Sequence, residues 1–168
     1  NEEALEEYRV LCRDMDCGFT ERDACVYSAN RPERIERELK AVQRLGFPAR
    51  AADRLPLPFP ATGIVFPHQA EFHPLKFLGA IAGKLTIYEH TAVRELIGTR
   101  ARTDNGSIAA EKIIVTTHFP FLNKHGSYFL KLYQQRFYVL ALQGAAGVDG
   151  MCIDERGNGL SFRTSGEL

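Results

Sequence analysis

Lys112-Ile113-Ile114-Val115-Thr116-Thr117-His118-Phe119-Pro120-Phe121 is the stretch from which the rest of the chain can be ordered. Its Ile-Ile-Val centre reads as a strand buried on both faces, and the Thr-Thr-His that follows should emerge at the strand's carboxyl end. In open α/β sheets, ligands sit outside that end. Ahead of it, Asn105-Gly106 is a hairpin signal between strand-like runs at 92–103 and around Ile108, and 85–90 reads as a further strand. Beyond it the chain turns at Pro120 and continues as antiparallel-looking strands. The stretch marks the passage between two kinds of architecture.

The 168 residues are 45% hydrophobic and 25% charged, ordinary for a soluble globular protein of one large domain or two small lobes. With 21 Lys and Arg against 21 Asp and Glu, the net charge of +0 gives no global field to draw nucleic acid or anionic lipid. Neither a signal peptide nor a bilayer-spanning apolar run is present, so a cytoplasmic location is expected. The start at Asn1, without an initiator Met, fits a piece of a longer protein. Cys12, Cys17, Cys25 and Cys152 have no CxxC spacing and too low a density for a disulfide scaffold, so they are expected as structural or free thiols, against metal or redox roles as the alternative. His68 and His73 are five apart, which does not set two ligands on one helix face, and no metal site is expected.

In chain order, 2–15 reads as a surface helix with a stripe of Ala4, Tyr8, Leu11 and Met15, and 24–28 as a short strand. Asn30 with Glu33 forms a capping box for a helix with Pro32 in its first turn, a stripe of Ile35, Leu39, Val42 and Leu45, and a left-handed stop at Gly46. Its arginines are interleaved with acids, which favours a solvated face over a nucleic-acid site. Pro48, Pro56, Pro58 and Pro60 make 47–60 an extended connector, with 55–60 irregular and largely exposed. A strand at 62–66 and a helix from Pro74 to Gly83 follow. Near the end, 136–143, 151–154 and 160–164 read as three strands with Gly-rich links, a meander.

Three segments, Ala70 to Leu78 at a helix start, Ile87-Tyr88-Glu89-His90-Thr91-Ala92-Val93 in a strand, and Val115 to Phe121, occur in an order that resembles the FAD-dependent oxidoreductases of the D-amino-acid oxidase and glycine oxidase superfamily. The family's amino-terminal GxGxxG strand, which seats the FAD pyrophosphate on a helix N-terminus, is not in this sequence. The resemblance therefore implies the central portion of a longer enzyme. The implied fold is α+β in two lobes: an antiparallel or mixed substrate-domain sheet with helices, and part of a Rossmann-like FAD-binding domain. Residues 1–62 would be substrate-domain helices and connector, 63–118 partial FAD-binding domain, and 119–168 substrate-domain strands.

The implied activity is oxidation of a small amine or amino acid by hydride transfer to flavin. Val93 falls where relatives present main-chain groups to the adenine; the other reading is an ordinary core valine. Thr117 and His118 fall beside the ribose and pyrophosphate, although His118 departs from the common Ala-Gly pattern and also reads as a locally bonded loop histidine. Tyr138 and Arg163 fall on roof strands where relatives grip a substrate carboxylate, with alternation leaving each facing cavity or solvent. Lys76 and Arg136 are weaker candidates. The expected partners are the small substrate and, through an exposed cofactor face, a second copy; this chain alone should hold FAD weakly. The competing reading is a non-catalytic α+β binding or interaction module.

Overall fold

The computed structural model describes residues 2–119, 121 and 127–165. Its elements are α1 (Glu2–Cys12), β1 (Thr20–Ser28), α2 (Pro32–Arg44), β2 (Arg50–Ala52), β3 (Thr62–Glu71), α3 (Pro74–Ala82), β4 (Val93–Ile97), β5 (Arg100–Thr103), β6 (Gly106–Ala109), α4 (Tyr128–Lys131), β7 (Met151–Asp154) and β8 (Ser161–Phe162). The mixed α+β class is as expected, and a Rossmann-like βαβ arrangement is not among the described elements. The chain divides into two compact units, Asn1–Leu85 with Ala141–Leu168, and Thr86–Leu140. Because β3 pairs with β1, residues 62–71 share a sheet with 20–28, so no unit boundary falls at residue 62.

The larger unit is a five-stranded mixed sheet in the order β2-β3-β1-β7-β8. β1 runs antiparallel to β3 and parallel to β7, so over 24–27 its backbone is paired on both edges. Period-two alternation sends Cys25 and Tyr27 to one face, where they pack with Val65, Ala61, Leu55 and Cys152. Val26 and its partner Ile64 take the other face, and α2 lies over β1, β2 and β3 there with Ile35 and Val42 buried. Gly63 lies opposite Tyr27, where an added Cβ would stand 2.7 Å from both Leu55 Cδ1 and the Val26 carbonyl oxygen. A second cluster joins α1 to α3 through Cys12, Cys17 and Phe77, with the Tyr8 ring stacked 5.5 Å from Phe72.

Local signals place α2 and α3 well. Gly46, at φ 77°, ends α2 with Gly46 N–H donating to Gln43 O and Phe47 N–H to Val42 O, the paired bonds of a Schellman stop. The capping box does not form: the N-cap is Arg31, with no side-chain cap bond, and its N–H donates instead to Ser28 Oγ at 3.1 Å. The α1 stripe is rotated from the expected one, with Cys12 buried and Leu11 52% exposed, and Leu45 is also exposed.

Three expected strands are not strands. Residues 112–118 carry no ladder, and Ile114 is 85% exposed, because no strand among the described residues lies alongside to supply partners. The same holds for 85–89 and for 136–143. The run at 92–103 is two strands, β4 and β5, broken by a turn at Gly98 with φ 58°. The turn expected at Pro120 lies outside the described residues.

The connector is irregular over 53–60, with β2 only an edge strand. It is less exposed than expected: Leu55 is buried, Leu57 and Phe59 pack on the core, and the intervening prolines face outward. Leu55→Ala should therefore lower the unfolding free energy by about 2–4 kcal/mol. Pro58→Ala should change it by no more than about 1 kcal/mol, through the unfolded chain. Urea midpoints of the two variants check this, and equal midpoints would contradict a core role for the connector.

Candidate functional site

In the smaller unit, β4, β5 and β6 form an antiparallel sheet in that order, so β4 has one edge without a strand partner among the described residues. Val93 opens β4 opposite Thr103, and a register shift between Val93 and Glu95 marks a bulge. Arg94, inside the bulge, holds Asp104 through two parallel bonds, Nε to Oδ1 at 3.0 Å and Nη2 to Oδ2 at 2.7 Å. Those bonds hold the Asp104 carboxyl below its usual range. Thr103 completes the turn, its hydroxyl donating to Gly106 O and accepting from Asn105 N–H. Val93 is thus a 38% exposed residue at a pinned strand start, on a strand with one edge that no described strand covers.

Thr117 and His118 lie in the same unit on exposed, irregular backbone rather than at the end of a buried strand. Tyr138 is also there, 85% exposed and outside any strand, and Arg136 is exposed. Arg163 belongs to the other unit. No hydrogen bond or ion pair joins any two of Val93, Thr117, His118, Tyr138 and Arg163 among the described residues. Lys76 sits in the first turn of α3, where its N–H donates to His73 Nδ1 at 3.3 Å.

Arg163 is placed by the β7–β8 hairpin. Tyr27, 1% exposed, donates its hydroxyl to Leu160 O at 2.9 Å, and Asp154 N–H donates to the same oxygen at 3.1 Å. The Asp154 carboxylate accepts from Arg156 N–H at 2.9 Å and from the guanidinium Nε and Nη2 at 3.0 and 2.8 Å. These bonds, with the Arg156 side chain first, depress the Asp154 carboxyl below its usual range despite burial. Past β8, Thr164 Oγ1 donates to Val148 O and accepts from Val148 N–H. Phe162 packs inward near Tyr27 and Phe59, and Arg163, just past the end of β8, is exposed.

An FAD pyrophosphate needs free N–H groups at a helix start. The first turn of α1 carries Glu2 and Glu3, and that of α2 carries Glu33. In α3, Pro74 lacks an N–H and the Lys76 N–H is taken by His73. The starts of α1, α2 and α3 therefore do not fit the FAD pyrophosphate. No step of the reaction can be derived through flavin from them.

Several groups escaped the sequence reading. Cys25 and Cys152, 127 residues apart, form a disulfide, which corrects the expectation of unbridged thiols for this pair; Cys12 and Cys17 are free and buried, as expected. Burial, with a hydrogen bond to Cys17, pushes the Cys12 thiol up to about 11. His68 adopts φ 57° at a bulge and pairs with Glu21. Glu155 is tied to Arg34 at 3.0 Å while its Oε1 is buried without a partner. The register shift and the parallel pairing that create these contacts are long-range, and no local spacing announces them. Among the described residues no three His, Cys, Asp or Glu side chains converge as metal ligands, and no helix is long and apolar enough to cross a membrane.

The family model described as FAD dependent oxidoreductase matches residues 1–167. The chain is similar to the putative Rieske 2Fe-2S iron-sulfur protein YhfW of Bacillus subtilis (strain 168), 32% identical over 144 residues, covering 77% of this chain and 28% of that protein. The chain thus spans under a third of the length of the curated relative it matches. No solved structure matches.

A carboxyl whose folded pKa lies below its unfolded value of about 3.9 stabilises the fold above that value, and the contribution is lost as pH falls through the folded pKa. Asp154 is such a group. Asp154→Asn should therefore destabilise the protein at neutral pH and flatten the loss of stability below about pH 4. Urea midpoints measured across that range check it; an acid limb identical to wild type would detach Asp154 from the hairpin's stability.

Proposed function

Because the chain belongs to the FAD-dependent oxidoreductase family, in the superfamily of D-amino-acid oxidase and glycine oxidase, we propose that it forms the central portion of an enzyme that oxidises a small amine or amino acid by hydride transfer to flavin. The observation that carries this reading is the family match along 1–167. Bound FAD would supply the hydride acceptor. The chain's own residues would bind and orient: the β4 edge at Val93 toward the adenine, Thr117 and His118 toward the ribose, and Tyr138 and Arg163, which lie in different units, each as a separate candidate for a substrate carboxylate. A guanidinium suits that anion through two parallel bonds. The smaller unit is then the FAD-side lobe and the larger unit the substrate-side lobe, in place of boundaries at 62 and 118.

The relative's name, a putative Rieske 2Fe-2S iron-sulfur protein, suggests a one-electron carrier rather than O2 as the flavin's oxidant. A cytoplasmic location belongs to the same proposal. The Cys25–Cys152 bridge bears on it, because a disulfide in a reducing compartment is usually transient and redox-active rather than a permanent staple. A non-catalytic α+β module is the alternative, favoured by the lack of a pyrophosphate anchor among the described residues. A visible spectrum of the full-length protein decides between them: flavin bands bleached by amines or amino acids support the enzyme, and a colourless protein supports the module.

Two outcomes are expected. With the pyrophosphate anchor outside the described residues, this chain alone should bind FAD in the millimolar range, where the parent holds it below about a micromolar, since each 1.4 kcal/mol is about tenfold in Kd. Flavin fluorescence titration checks this, and saturable binding at or below about a micromolar would sink it. In the flavin-loaded parent, Arg163→Leu should raise KM for the carboxylate-bearing substrate, and lower kcat if the contact orients the reacting carbon. An unchanged KM with flavin bound would leave Arg163 facing solvent.

A further inference from the structure

On the Cys25 face of the larger unit is a cavity of about 350 Å³. Cys25 and Cys152 line it together with Leu55 and Pro56 of the connector, and its charged lining is balanced, Arg22, Arg50 and Arg54 against Glu21, Asp23 and Asp149. The two cysteines are only 4% and 3% exposed, yet both line this space. The volume, at the low end for small-molecule sites, is enough for a small reagent. Two of the three arginines are engaged, Arg50 with Asp23 at 3.2 Å and Arg22 with Glu71 at 3.1 Å. Arg54 is exposed and has no ion-pair partner among the described residues.

We propose that this cavity is a thiol-exchange site, in which the Cys25–Cys152 disulfide is reduced by a low-molecular-weight thiol whose carboxylate is held by Arg54. The thiolate attacks Sγ of one cysteine and forms a mixed disulfide; the Cys25–Cys152 bond breaks and the other sulfur leaves as a thiolate, which takes a proton from water. A second thiol molecule attacks the mixed disulfide and releases the small-molecule disulfide. In sum, two small thiols give up two electrons and two protons to the protein bridge, leaving Cys25 and Cys152 as thiols.

The consequence is structural as well as chemical. The bridge is the one covalent tie between β1 and β7 among the described residues, and it joins positions that are register partners in the parallel pair. Its reduction leaves β7 and β8 held without a covalent tie, by the ladders, the Tyr27 hydroxyl and carbonyl, the Arg34–Glu155 pair and the packing of Phe162. Arg163 follows β8 directly, so the state of the bridge sets how firmly that arginine is positioned. The exchange uses no flavin and stands independently of the oxidoreductase reading.

The test compares two small thiols, anionic mercaptopropionate and uncharged mercaptoethanol, on the folded chain purified without reductant. Reduction is followed by quenching with an alkylating agent and weighing the protein, which also detects the mixed disulfide. The rate should rise linearly with thiol concentration. Arg54→Gln should slow mercaptopropionate roughly threefold to fivefold, the range of an exposed charge pair, and mercaptoethanol by less than about twofold. Arg54→Lys should restore most of the loss. Equal slowing of both thiols, or none, overturns the anion site. A rate that saturates at a value shared by both thiols overturns the cavity route, because the bridge would then open only through unfolding. A protein that carries four free thiols as purified, and does not bridge when given the disulfide of mercaptopropionate, overturns the proposal outright.

Discussion

The backbone of β1, hydrogen-bonded along both edges over 24–27, is the constraint from which the larger unit follows. A central strand leaves no free N–H or C=O, so its neighbours are fixed in register and its side chains in face. Tyr27 adds a second demand. Its ring is buried among Phe59 and Phe162, and a buried phenol hydroxyl needs an acceptor, which Leu160 O supplies. Glu155 N–H then donates to Tyr27 O at 2.8 Å, so one residue holds both sides of the turn after β7. The position of Arg163, the closeness of Cys25 to Cys152 and the cavity above them all descend from that arrangement.

Features whose causes are local were legible in the sequence. Pro32 and Gly46 bound α2, Pro74 opens α3, and Asn105-Gly106 turns β5 into β6, since each of these residues acts through its own backbone geometry. The family was legible too, from motif order rather than from any single motif. The connector was half legible. Four prolines excluded a central strand, but Leu55, Leu57 and Phe59 alternate with Pro56, Pro58 and Pro60, and that period of two signals a chain with one face on a core. The capping box failed for a similarly physical reason: Ser28, at the end of β1, reaches the Arg31 N–H first.

What the sequence could not supply is the identity of neighbours. An apolar, β-branched run states that a segment can be buried in a sheet; it becomes a strand only beside another edge. Residues 112–118 and 136–143 have the first property and, among the described residues, lack the second. Val139 at 91% and Leu140 at 86% exposure are therefore apolar groups without a local partner. Runs of that kind are docking or association surfaces in soluble proteins. Cysteine pairing fails to show in sequence for the same reason, since the parallel pairing of β1 with β7 is what brings the two sulfurs together.

The smaller unit presents the opposite balance. Thr103 is the one buried residue among its described residues, and its sheet is held chiefly by hairpin hydrogen bonds and by the clamp of Arg94 on Asp104. Three short strands with so little apolar burial are weakly stable in isolation. Regions that bind ligands are drawn from the low-stability end of a fold, and a ligand that binds only the ordered form stabilises it by mass action. Any ligand that bound only the ordered form of the β4–β5–β6 sheet would therefore couple its binding to the folding of this unit.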